Sequence, residues 1–159
     1  MFRSTRLFSK LFLFSLSCTL LMACTDNSVY NNTTTISDKG WFSNDKAVFD
    51  VKIDNPGKLA VYLDLRHTDD YKYSNLFLRM YVKNPDGKMQ PTRVLEVKLA
   101  EKDGKWRGSG SGKLISQETY ITNALDFSKP GSYRIEFEQF MRDDPLKEIS
   151  DLGVKLIKE

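Results

Sequence analysis

The chain has 159 residues, 28% of them charged and 40% hydrophobic, with a formal net charge of +3. That length supports one domain with a proper core. The positive balance sits in the first ten residues, so the chain lacks the basic footprint of a nucleic-acid binder, and no nucleic-acid partner is expected.

Residues 1–10, "MFRSTRLFSK", carry Arg3, Arg6 and Lys10 and no acid, and Leu11 to Ala23 follow without a charge. A basic start, a short apolar block and a small residue at its end describe a secretory signal peptide over 1–23. The block falls short of the roughly 20 apolar residues of a transmembrane helix, and it has no amphipathic period that would suit a buried helix. Its end, Leu21-Met22-Ala23-Cys24, resembles the lipobox of a bacterial lipoprotein. The resemblance implies cleavage after Ala23 and acylation of Cys24, which would hold the chain on a lipid bilayer. Cys18 would leave with the signal, so the mature domain would have neither a free thiol nor a disulfide. Cleavage after Ala23 of a 159-residue chain leaves 136 residues. Without Arg3, Arg6 and Lys10 the mature chain has 21 basic residues against 21 acidic ones.

Residues 24–40 hold the lipidated cysteine and a polar stretch rich in Asn, Thr and Ser, expected to be a tether. From Trp41 the pattern changes, and 41–159 reads as a single domain. Period-two alternation recurs with Phe49, Val51 and Ile53, then with Leu59, Val61, Leu63 and Leu65, then with Leu76, Leu78, Met80 and Val82. It returns with Leu95, Val97 and Leu99, with Tyr133, Ile135 and Phe137, and with Leu152, Val154 and Leu156. Alternation of this kind marks strands with one buried face. Turn signals divide the runs: "NPG" at 55–57, "NPDG" at 84–87, "KDG" at 102–104 and "KPG" at 129–131. The expected fold is an all-β antiparallel sandwich, jelly-roll or immunoglobulin-like. One stretch, "EQFMRDDPLKEI", is expected to hold a helical turn around Pro145.

Chemistry-bearing patterns are few. "GSGSGK" at 108–113 misses the phosphate loop, because Arg107 occupies the first glycine position and Leu114 follows the lysine. It misses the nucleophile elbow because Gly110 stands where the serine belongs. A flexible loop or a bulged strand is expected there. His67, the one histidine, lies with Asp69 and Asp70 in "RHTDDYKYSNL", residues 66–76. No second histidine or thiol completes a transition-metal site, and no nucleophile motif awaits a base. The segment reads as a link between two strands at a sandwich end. Asp69, Asp70, Ser74 and Asn75 would bond local amides, and Tyr71 and Tyr73 would cap the core. Glu136 and Glu138 read as a solvated strand face. No metal, cofactor or catalytic residue is expected. Trp41, His67, Tyr71, Tyr73 and Trp106 form the candidate docking surface. The aromatic members would offer a sugar-stacking or protein-docking face, or would close the ends of the core.

Three blocks, "LRHTDDYKYSNLFL", "LAEKDGKWRGSGSG" and "KPGSYRIEFEQFMRDDPLKEISDLGVKL", on a chain with a lipobox resemble the gliding motility lipoprotein GldH family of the Bacteroidetes. The likeness runs from about Val29 to Lys158. It implies a membrane-anchored, non-enzymatic component of a gliding apparatus tied to type IX secretion, with other envelope or gliding-machinery proteins as partners. The alternative function is a glycan-binding module using Trp41, Trp106 and the tyrosines. A lipid-anchored hydrolase is the third reading. Thr25 after the cysteine, with Asp26 the one acid nearby, favours the outer membrane, facing the periplasm.

Overall fold

The computed structural model describes residues 27–159. The expected signal peptide over 1–23, Cys18 and Cys24 therefore lie outside the described residues. Within them there is no helix, and nine strands form the fold. They are β1 (Ser28–Thr35), β2 (Ala47–Ile53), β3 (Leu59–Thr68), β4 (Asn75–Lys83), β5 (Arg93–Lys98), β6 (Ser109–Ser111), β7 (Leu114–Thr122), β8 (Gly131–Gln139) and β9 (Ile149–Lys158). Two antiparallel sheets result, one ordered β1-β9-β3-β7-β6 and the other β2-β8-β4-β5.

The alternation seen in the sequence explains how the sheets meet. In β3, Leu59, Val61, Leu63 and Leu65 point inward, joined from β9 by Leu152, Val154 and Leu156. From the other sheet come Phe49, Val51 and Ile53, then Leu76, Leu78, Met80 and Val82, then Tyr133, Ile135 and Phe137. All of them belong to one apolar core, so the fold is an antiparallel β-sandwich. Phe49 and Phe137 meet edge to face at 6.1 Å within it. Truncating any of the fully buried leucines to alanine is expected to cost about 2–5 kcal/mol.

Six strands match the alternating runs, and two substantial ones do not. β1 is "SVYNNTTT", inside the stretch expected to be a tether. It pairs with β9 from Ser28 to Thr35, so the sandwich begins at Ser28 and not at Trp41. As an edge strand it needs one partner and little apolar surface, and its threonines and tyrosine suit a pleated edge. β7, "LISQETYIT", places Gln117 and Thr119 between Ile115 and Ile121 on the inner face, which breaks the apolar alternation. "GSGSGK" supplies the short strand β6 and the turn into β7. The helical turn expected around Pro145 is absent. That segment is a loop pinned by Leu146, whose backbone exchanges two hydrogen bonds with Trp41, at 2.8 and 2.9 Å. The turn glycines Gly87, Gly104 and Gly131 have positive φ.

Candidate functional site

Of the two readings of the aromatic residues, an exposed docking face or closure of the core, burial favours the second, which corrects the docking surface for Trp41 and Tyr71. Trp41 is 1% exposed, and its indole Nε1 donates to Asp45 O at 2.7 Å. Tyr71 is buried, with its hydroxyl donating to Asn75 O at 3.1 Å. Burial pushes its phenol pKa up. Trp106 is partly buried, held by a bridge to Ala100. Tyr73 is likewise partly buried. It lines a 360 Å³ depression with Asn75, Phe77, Phe140, Met141 and Arg142. Lys72 stands 5.1 Å from its ring, and the hydrogen bond from Lys72, helped by Tyr73, holds Asp143 below the usual carboxylate range.

His67 has 0% exposure. β3 runs through Thr68, so His67 is a strand residue and the connection to β4 is only 69–74. It continues the inward series 59, 61, 63, 65, and that alternation was the signal for its burial. Its ring lies 4.7 Å from Trp106 and 5.6 Å from Tyr71. His67 Nδ1 is 2.8 Å from Thr68 O. A carbonyl only accepts, so Nδ1 carries the proton and Nε2 keeps its lone pair. That Nε2 is buried and has no hydrogen-bond partner among the described residues. Burial pushes the His67 pKa down, and the Thr68 carbonyl offsets this only in part. A neutral, enclosed imidazole offers nothing to a docking partner. Of the acids beside it, Asp70 pairs with Lys113 at 3.0 Å. Asn75 reaches across to β5, its Nδ2 donating to Glu96 at 2.8 Å. No cluster of three metal-ligating side chains occurs among the described residues.

Glu136 and Glu138, expected on a solvated face, are half-buried and paired with cations. Lys46 meets Glu136 at 3.0 Å and Arg79 meets Glu138 at 3.0 Å. Arg79 also stacks on the Phe140 ring at 3.7 Å.

Sequence reasoning missed the most developed polar surface, which is the outer face of the five-stranded sheet. The strand registers arrange it in rows. Asn31, Lys155, Tyr62 and Tyr120 align in the first; Thr33, Gly153, Asp64 and Glu118 in the second; Thr35, Asp151, Arg66 and Ser116 in the third. A groove of about 420 Å³ lies over the second and third rows. Gly153 lies between Thr33 and Asp64, where a Cβ would stand 2.8 Å from Thr33 Oγ1 and 3.0 Å from Asp64 Cβ. Any larger residue would push those two side chains apart. The third row is closed on itself. Arg66 reaches Asp151 at 3.4 Å, and the Thr35 hydroxyl donates to Asp151 at 2.9 Å. Between the first and second rows Lys155 meets Glu118 at 3.3 Å. Asp64 sits directly across from Glu118, and its pKa is raised, first by burial and then by that neighbouring carboxylate. Tyr62 and Tyr120 pack edge to face at 5.6 Å, leaving Tyr120 half exposed. The residues come from four strands, the outermost pair more than a hundred positions apart in the chain, so no local spacing announces them.

Residues 28–156 match the family model of the GldH lipoprotein. The gliding motility lipoprotein GldH homolog of Christiangramia forsetii is 27% identical over 155 residues, covering 92% of this chain and 94% of that one. The gliding motility lipoprotein GldH of Flavobacterium johnsoniae is 24% identical over 149 residues, covering 89% and 91%. Among solved structures, a non-crystalline cellulose specific carbohydrate-binding module aligns with a TM-score of 0.45 and 11% identity, over 80% of this chain and 73% of that one. An exo-beta-1,3-galactanase from Phanerochaete chrysosporium aligns with a TM-score of 0.40 and 11% identity, over 80% and 27%. At such scores neither structural likeness bears on function.

Proposed function

Because the chain belongs to the GldH lipoprotein family, we propose that it is a lipid-anchored, non-enzymatic component of a bacterial gliding-motility apparatus tied to type IX secretion. The observation that carries this reading is the family match over residues 28–156. Cys24 bears the lipid, and the bilayer is the outer membrane, with the domain facing the periplasm. The partners are other envelope proteins of the apparatus.

Three residues, Thr25, Asp26 and Asn27, separate Cys24 from β1. Extended backbone spans at most about 3.6 Å per residue, so β1 starts within about 14 Å of the anchor. The sandwich therefore rests close to the membrane, with the start of β1 turned toward it. Ser28 pairs with Ile157, Glu159 N donates to Lys58 O, and Gly57 N donates to Phe127 O. Turn 54–58, loop 123–130 and the C-terminus thus share the membrane-facing end. Loops 69–74, 99–108 and 140–148 lie at the opposite end, where loops are free for recognition.

The test is complementation of a deletion strain. Wild-type protein should restore colony spreading and fractionate with outer membranes, and Cys24→Ala should do neither. Spreading that survives the deletion would sink the motility role, and full rescue by Cys24→Ala would sink the anchor.

A further inference from the structure

The groove on the outer face of the five-stranded sheet holds polar groups that the fold itself leaves unused. The side chains of Asp64 and Asn31, and the hydroxyls of Tyr62 and Tyr120, make no hydrogen bond among the described residues. The neighbouring charges are matched, Arg66 with Asp151 and Lys155 with Glu118, and Lys155 also favours the charged form of Asp64 against burial and Glu118. The surface thus splits into a self-satisfied part and an uncommitted part; Asn31 and Asp64 line the depression with Arg66, Asp151 and Glu118, and the two tyrosines stand in the neighbouring row beside it.

An ordinary solvated strand face does not require this arrangement. Like charges directly opposite each other in an antiparallel pair are destabilising, and Asp64 faces Glu118 in that way. Asparagine or threonine at position 64 would remove the cost. Sequences break such local rules mostly where function demands it. What the surface offers is specific. Asp64 supplies two acceptor oxygens, Asn31 a donor and an acceptor, and Tyr120 an exposed ring beside them. With the cations paired, a charged ligand finds little to bind. A ligand with many hydroxyls and one apolar face finds both complements, and the volume of about 420 Å³ lies in the range of ligand sites.

We propose that this groove binds an uncharged oligosaccharide chain. Asp64 and Asn31 hydrogen-bond its hydroxyls, and the Tyr62–Tyr120 pair receives the C–H face of a sugar ring. The residues are distinct from Trp41, Trp106, Tyr71 and Tyr73, which the core and the far end of the sandwich occupy. The site does not depend on the lipid anchor or on a role in motility.

The experiment is affinity electrophoresis of the full chain in a detergent without a sugar headgroup. The gels contain laminarin, galactomannan, xyloglucan or hydroxyethylcellulose. At least one polysaccharide should retard the wild-type protein. Tyr120→Ala and Asp64→Asn should each weaken that retardation about tenfold. Lys52→Ala, on the outer face of the other sheet, should leave it unchanged. Asp64→Asn should at the same time raise the unfolding midpoint, because it removes the like charge opposite Glu118. A residue kept only for stability would do the reverse. Absence of retardation by all four polysaccharides would overturn the proposal. So would retardation untouched by both variants, or a fall in the midpoint of Asp64→Asn.

Discussion

Replacing His67 by alanine tests whether this histidine is a core residue or a site residue. The ring is fully buried between Trp106 and Tyr71. Truncating a buried aromatic ring to alanine costs about 3–5 kcal/mol, and the smaller, more polar imidazole about 2–3. Loss of the 2.8 Å bond from Nδ1–H to Thr68 O adds about 0.5–1.5 kcal/mol. Thr68 O itself stays satisfied, since it also accepts from Tyr71 N at 3.2 Å. Deleting the unpartnered Nε2 returns roughly 1–2 kcal/mol. The net loss for His67→Ala is therefore about 2 kcal/mol, against the small effect expected of an exposed link residue. His67→Phe fills the same space without a buried lone pair and should stay within about 1 kcal/mol of wild type. The pH dependence gives a second readout. The folded-state pKa of His67 is depressed, so the unfolded chain takes up the proton first as pH falls through about 6.5. His67's contribution is then fully present above that pH and declines below it. Guanidinium unfolding at pH 7 and pH 5 should show wild type losing more stability than His67→Phe, whose carboxylates are the same. A loss under about 1 kcal/mol for His67→Ala, or equal pH losses in wild type and His67→Phe, would refute the reasoning.

Tyr71→Phe removes a single 3.1 Å bond to Asn75 O at the start of β4 and leaves the ring packed, so equilibrium unfolding should show a loss of about 0.5–1.5 kcal/mol. Gly40 has φ +99, and a Cβ there would stand 3.0 Å from Leu146 O and from Pro145. Gly40→Ala should cost about 1–3 kcal/mol and loosen the pairing of Trp41 with Leu146, which amide exchange at those two residues would detect.

Much of the sandwich is written in local pattern. Six strands alternate apolar and polar residues because each has one face in the core, and a period of two has no other economical explanation. Proline and glycine punctuate them at turns the backbone could not otherwise make. Even the burial of His67 is legible, as the next inward position after Leu65, although its polar chemistry draws attention to the surface. What resists reading is whatever depends on a partner strand. β1 has no apolar alternation because an edge strand needs only backbone pairing on one side, and β9 supplies it from the other end of the chain. β7 hides because its inner face meets β5 and the sheet edge, where Gln117 bonds Lys98 O and takes the place of an apolar residue. The groove is further still from local reading. Asn31, Asp64, Glu118 and Gly153 lie on four strands, and each is unremarkable within its own stretch of sequence. Only the registers of β1, β9, β3 and β7 bring them to one place, because cross-strand neighbours are set by long-range pairing and side-chain order along a strand carries no record of it.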